Sequence, residues 1–115
     1  MRRINFNPEY VAAILSGSKC ATVRKGRRSY AEGEVVELTS NGKAFALARV
    51  VACEVKRLAE LTELDARRDG FSSREELLRA LRRIYGGVSE REQVTVVRFK
   101  LLRRRKAARA CDAER

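Results

Sequence analysis

The sequence predicts an α+β fold, a small mixed β-barrel with helices covering its openings. Three observations carry that prediction. The chain has 115 residues, room for one domain and not two. Apolar residues make up 44% of it, enough for one core, although a chain this short leaves much of its surface exposed. The hydrophobic period changes along the chain in the order helix, strand, two hairpin strands, two helices, strand, which suits a small barrel better than an open sheet of βαβ units. With four Phe, three Tyr and no Trp, the core must come mainly from Val, Leu, Ile and Ala.

The first element is a helix over 8–16. Asn7 is a good N-cap, Pro8 suits the first helical position, and Val11, Ile14 and Leu15 recur at helical spacing. Gly17 supplies a left-handed stop. Cys20-Ala21-Thr22-Val23-Arg24 is short and alternating, and reads as a strand; Lys25 to Ser29 is a basic loop. Asn41-Gly42 joins two further strands, about 34–39 and 43–56, because both residues tolerate positive φ. In the longer strand Phe45, Leu47, Val51, Cys53 and Val55 share one face, interrupted by Arg49. Ala44, Ala46, Ala48 and Ala52 share the other, so something packs closely there.

Thr62 and Asp65 form a capping-box pattern for a short helix over 63–67, and Asp69-Gly70-Phe71 makes a turn. Ser72 or Ser73, each followed three residues later by Glu, starts a longer helix that buries Leu77, Leu78, Leu81 and Ile84 and stops at Gly86-Gly87. The last strand is about 93–102. The domain is therefore expected over residues 1–102, with a basic, flexible tail over 103–115.

Composition narrows the chemistry. Lys and Arg outnumber Asp and Glu by 26 to 15, a formal charge of +11 that favours polyanions such as nucleic acid or an anionic membrane. The plainer account is a charged, soluble surface. The chain has no His, which removes the usual zinc sites, the Ser-His-Asp arrangement and His general bases together. Cys20, Cys53 and Cys111 are odd in number, widely spaced and free of any CxxC, so neither a metal nor a disulfide framework is expected. No cofactor is implied. Without a signal-peptide or membrane-spanning stretch, the expected location is the cytoplasm and no membrane partner is expected.

Alternation places Cys20, Thr22 and Arg24 on one face of their strand and Ala21 and Val23 on the other. The polar three should face a cleft or solvent. Lys19 is three positions from Thr22, an offset that points opposite ways on a straight strand, so it must sit in the turn after Gly17 and curl back. Taken alone, Lys19 is an ordinary loop lysine, Thr22 a strand former and Asp69 a turn residue before Gly70.

Taken in order, several features resemble the ASCH family. They are Gly17-Ser18-Lys19, Cys20 to Arg24, Tyr30 with Ala31-Glu32-Gly33-Glu34, Leu58 to Leu64, Asp69-Gly70-Phe71, Glu75-Glu76-Leu77 and a last strand ending in Phe99. The family stretch looks like Gly-x-Lys-Thr-x-Thr-x-Arg, and here only Cys20 replaces the first Thr. The match spans about 4–102. The resemblance implies a PUA-like barrel with a cleft beside the Lys-x-x-Thr-x-Arg strand, and RNA or a modified nucleoside as partner. It also implies that some small bacterial members act as amidohydrolases, removing the acetyl group from N4-acetylcytidine with a lysine, a threonine and a glutamate. By motif the lysine and threonine fall on Lys19 and Thr22, and aligning the segment before the second helix without gaps puts the acid on Asp69, with aspartate where the family has glutamate.

Three readings follow. The first is an RNA- or nucleotide-binding module whose cleft uses Lys19, Thr22 and Arg24, with Lys25, Arg27 and Arg28 beside it for phosphates and Arg2 and Arg3 joining them. The second is an amidohydrolase in which Thr22 attacks, Lys19 is the base and Asp69 orients Lys19 or protonates the leaving amine. The third is a protein-interaction adaptor that keeps only the barrel. Oligomeric state stays open.

Overall fold

One five-stranded mixed sheet, curled into a half-barrel, organises the chain in this computed structural model, which describes residues 1–105. The elements are β1 (Arg3–Asn5), α1 (Val11–Ser16), β2 (Ala21–Lys25), β3 (Val35–Ser40), β4 (Lys43–Arg57), α2 (Glu63–Arg68), α3 (Arg74–Tyr85) and β5 (Gln93–Arg104). The strand order is β1-β3-β4-β5-β2. β1 pairs parallel to β3, and every other neighbour is antiparallel. The two edge strands, β1 and β2, therefore face each other across a seam that no backbone ladder closes.

Two apolar layers form on the two faces of the sheet. Inside the curl lie Ile4, Phe6, Val36, Leu38, Ala46, Ala48, Val50, Val97 and Phe99, with Ile14 of α1 covering one end. Outside it, Val23, Val94 and Val96 meet Leu61, Ala66, Leu77 and Leu81 from the α2–α3 side. Val96 and Val97 thus serve opposite layers, as the two-residue period of a strand requires.

β1 escapes sequence patterning, since three residues with a single buried Ile4 give no periodic signal; parallel pairing to β3 creates it. The helix expected over 8–16 begins as a 3-10 turn, Pro8–Tyr10, and Asn7 stands at the N-cap without a side-chain cap bond. The strand expected at 20–24 runs one residue later, because Cys20 N–H donates to Arg68 O at the end of α2. On β4 the small face is the inner one: Ala46, Ala48 and Val50 are buried. Val51, expected on the face shared with Phe45, Leu47, Cys53 and Val55, is a bulge residue without a partner between the Val50–Phe99 and Ala52–Arg98 pairs, and is exposed. Arg49 points out and donates to Gly33 O at 2.7 Å, pinning the approach to β3.

The capping box of α2 forms as predicted, Thr62 accepting from Asp65 N–H while Asp65 accepts from Thr62 N–H. Ser73 caps α3, and Glu76 turns instead to Ser72. Ile84 is exposed rather than buried, because it lies on the rim of a cleft, and Ala80 fills the inner stripe in its place. β5 continues to Arg104, so Arg103 and Arg104, expected in the tail, belong to the sheet; residues 106–115 lie outside the described residues. Among the described residues no helix is long and apolar enough to cross a membrane, and no group of three His, Cys, Asp or Glu side chains gathers as a metal site would need. Cys20 and Cys53 are free thiols, and Cys111 lies outside the described residues.

Candidate functional site

The seam between β1 and β2 opens into a cleft of about 130 Å³. Asn5, Phe6 and Asn7 form one wall, Lys19 and Thr22 to Arg24 the other, and Phe71 with the inner stripe of α3 as far as Tyr85 roofs it. Arg24 spans the gap: its Nη2 donates to Asn5 O at 2.8 Å and its Nε to Thr22 Oγ1 at 2.9 Å. Its guanidinium also lies 5.0 Å from the Phe6 ring centre. A side chain thus does across the seam what a ladder does elsewhere in the sheet.

Lys19 curls back as its sequence position demands. Gly17 ends α1 at φ +91°, and Lys19 N–H donates to Ala13 O at 3.0 Å, turning the chain under the helix. Asp69 arrives from the other side. It is the C-cap of α2, and Gly70 follows at φ +93°; Gly70 N–H donates to Arg67 O and Phe71 N–H to Ala66 O, the paired bonds of a Schellman ending. Glycine is required at 70 twice over, since a Cβ there would lie 3.3 Å from Lys19 Cβ in addition to the positive φ.

The ammonium of Lys19 and the carboxylate of Asp69 meet in direct contact, with only 4% and 5% of the two residues exposed. Lys19 Nζ also donates to Ala21 O at 3.0 Å and to Asp69 O at 3.1 Å. Burial pushes the Asp69 carboxyl up to about 6, against the pull of Lys19, Arg24 and the Val23 N–H. Burial likewise lowers Lys19, with Asp69 pulling it back and Arg24 adding to the fall. Desolvation therefore outweighs attraction in both partners. The same three contacts serve either protonation state. An ammonium donates to all three oxygens, whereas a neutral amine donates to the two carbonyls and accepts from a protonated Asp69. A proton can pass between them without rearrangement.

Lys19, Thr22, Arg24 and Asp69 all line the cleft, and they form two contacting pairs, Lys19 with Asp69 and Thr22 with Arg24. Among the described residues no hydrogen bond joins Lys19 to Thr22. The basic loop is not part of this cleft. Arg27 and Arg28 line a separate depression with Ser29, Tyr30, Cys53 and Val55, held there by Arg28 N–H donating to Thr95 Oγ1 at 2.8 Å. Lys25 lies 3.9 Å from Glu92 in an exposed ion pair. Arg2 is taken by Glu34 at 2.8 Å and stacks on Tyr30, while Arg3 is taken by Glu37. Of the expected cations, Lys19 and Arg24 line the cleft itself, while Arg28 lies outside its lining yet close enough for its charge to be felt at Arg24. Asn5, Asn7, Tyr10 and Tyr85 line the cleft without any sequence signal to single them out, since only the folded sheet brings β1 against β2.

The model of the ASCH domain matches residues 2–103. Comparison with curated proteins finds no match. Among solved structures, a protein of Enterococcus faecalis is 15% identical over 85% of this chain and 72% of its own, with a TM-score of 0.68. The ASCH domain of Lactobacillus crispatus is 17% identical over 80% of this chain and 69% of its own, TM-score 0.60. The ASCH protein of Zymomonas mobilis is 19% identical over 85% of this chain and 65% of its own, TM-score 0.65. Identities this low establish a shared fold, and the match over residues 2–103 establishes more: the chain belongs to the ASCH domain family.

Proposed function

We propose that the seam cleft holds a single nucleobase, presented by RNA or by a free modified nucleoside, and that the domain is an RNA- or nucleotide-binding module. One observation carries the reading: a cleft walled by Phe6, Tyr10, Phe71 and Tyr85 encloses a buried Lys19–Asp69 pair beside Arg24. Aromatic and apolar walls take the faces of a heterocycle, and Arg24 at the seam suits an adjoining phosphate. A charge pair buried this deeply is retained against a desolvation cost, which points to a working site rather than to stability. The net charge of +11 attracts the polyanion over a longer range. The test is titration calorimetry with cytidine and with a short single-stranded RNA, each at two salt concentrations. RNA affinity should fall with salt and with Arg24→Gln; a salt-independent RNA affinity would count against phosphate contact.

A second reading, hydrolysis of an N4-acyl group, is favoured by the shifted Lys19 and Asp69. In it, Thr22 Oγ attacks the amide carbonyl while its proton passes to neutral Lys19, whose own proton rests on Asp69. The tetrahedral oxyanion leans on Arg24, the amine leaves with a proton from the pair, and water then frees the acyl group from Thr22. Lys19 would have to release one of its three acceptors to reach Thr22, so binding ranks first. Turnover of N4-acetylcytidine, measured beside Lys19→Ala and Thr22→Ala, separates the two. Turnover lost in both folded variants makes the domain an amidohydrolase, and no turnover by the wild type retires that reading.

A further inference from the structure

We propose that Asn7, with Asn5 beside it, reads the hydrogen-bonding edge of the bound base and sets which base the cleft accepts. The inference rests on the nucleobase reading of the cleft and adds the residues that select within it.

Asn7 occupies an N-cap position with extended backbone, ψ 146°, yet its side chain makes no cap bond. Asparagine is among the best capping residues, so an uncapped one at this position has its amide directed elsewhere. Its main chain does take part in the turn, Asn7 O accepting from Tyr10 N–H at 3.0 Å, and the residue, exposed, is part of the cleft's lining. Among the described residues no hydrogen bond reaches that amide. A donor and an acceptor at fixed spacing thus stand unspent on the wall.

Asn5 is fixed rather than free. Its Oδ1 accepts from the buried Thr39 hydroxyl at 2.9 Å, and its main-chain carbonyl accepts from Arg24 at 2.8 Å. With the oxygen engaged, the amide NH2 is what the Asn5 side chain has left to offer a ligand. Two residues apart on extended chain, Asn5 and Asn7 point the same way, while Phe6 between them is buried in the curl. The wall therefore presents two donors from Asn5 next to a donor–acceptor pair from Asn7. A planar heterocycle with a carbonyl or ring-nitrogen acceptor beside a further polar atom satisfies both amides, and one lacking that acceptor leaves Asn5 unpaired.

The experiment measures binding of cytidine and uridine by calorimetry, with thermal unfolding alongside, for the wild type, Asn7→Ala and Asn7→Asp. Asn7→Ala should weaken binding about tenfold and change the cytidine-to-uridine preference, with the melting temperature unchanged because no cap is lost. Asn7→Asp, which keeps the shape but exchanges the donor for an acceptor, should shift the preference further while leaving the fold at least as stable. Wild-type affinity and preference retained in both variants would overturn the inference and leave the cleft reading standing. A melting temperature that falls in Asn7→Ala while base preference holds would make Asn7 a structural cap, which also overturns it. A wild type that binds neither nucleoside would remove the cleft reading and this inference together.

Discussion

Replacing Asp69 by Asn should change the pH dependence of stability in a direction opposite to that of an ordinary salt bridge. Asp69 starts from 3.8 and is raised to about 6 by burial. A raised acid binds its proton more tightly folded than unfolded, so its contribution is present below 3.8 and is lost as pH climbs through about 6. At 1.36 kcal/mol per unit, the interval between those two values corresponds to about 3 kcal/mol, most of which falls between pH 4 and pH 7. The amide introduced by Asp69→Asn cannot titrate, so the stability of the wild type relative to that variant should decline by that amount over that range. Lys19 pushes the difference the same way. Deprived of its carboxylate it is lowered further, and a lowered lysine gains stability for the variant as pH rises. Urea unfolding followed by circular dichroism at pH 4, 5, 6 and 7 reads the difference, which corresponds to a melting shift on the order of 10 °C. A difference flat to within about 0.5 kcal/mol, or one in which the wild type gains with pH, would refute the argument. The pair would then be an ordinary salt bridge with a depressed carboxyl.

Two further perturbations probe how the cleft is held. Gly70→Ala should cost about 1–2 kcal/mol for its φ of +93° and also displace Lys19, whereas Gly42→Ala, at φ +79° with nothing within 4 Å, carries the backbone strain alone. Ligand affinity that drops in the first and holds in the second locates the effect at Lys19; equal losses would assign it to strain. Arg24→Gln removes the bridge to Asn5 O and should lower stability by about 1–2 kcal/mol in urea unfolding. Unchanged stability would mean that the seam holds without Arg24.

What could be read from the sequence was local. Pro8 and Gly17 bracket a helical turn, Asn41-Gly42 makes its hairpin with Asn41 at φ +53°, and Thr62 with Asp65 forms its capping box, each set by a few neighbouring residues. The curl of Lys19 was legible because a three-residue offset from Thr22 cannot lie on one strand face. Its meeting with Asp69, 50 positions away, rested on the family resemblance and is present in the structure. Other features depend on pairing between distant segments. Val51 falls out of alternation because β5 is one residue shorter than β4 at that point, and neither strand alone records the mismatch. The loop with Arg27 and Arg28 looked adjacent to the motif strand in sequence, yet Thr95 of β5 draws it to another depression. Asn5 carried no signal and Asn7 only that of an N-cap, since their place on the cleft wall depends on which strand lies across the seam.

That seam makes the cleft resemble the gap of a spring clip. By backbone ladders its jaws, β1 and β2, connect only the long way round, through β3, β4 and β5, with the Arg24 side chain as the one direct hydrogen-bonded tie described across the gap. Small changes of curl at each ladder add up at the opening, and the bulge at Val51 and the irregularity beside Leu47 sit on that arc. Substitutions there alter how wide the jaws stand while touching nothing inside. A ligand that gripped both jaws would act as the missing rung, and its binding energy would stabilise the closed arc. Affinity in the proposed cleft would then depend in part on the sheet's curvature, set far from the residues in contact.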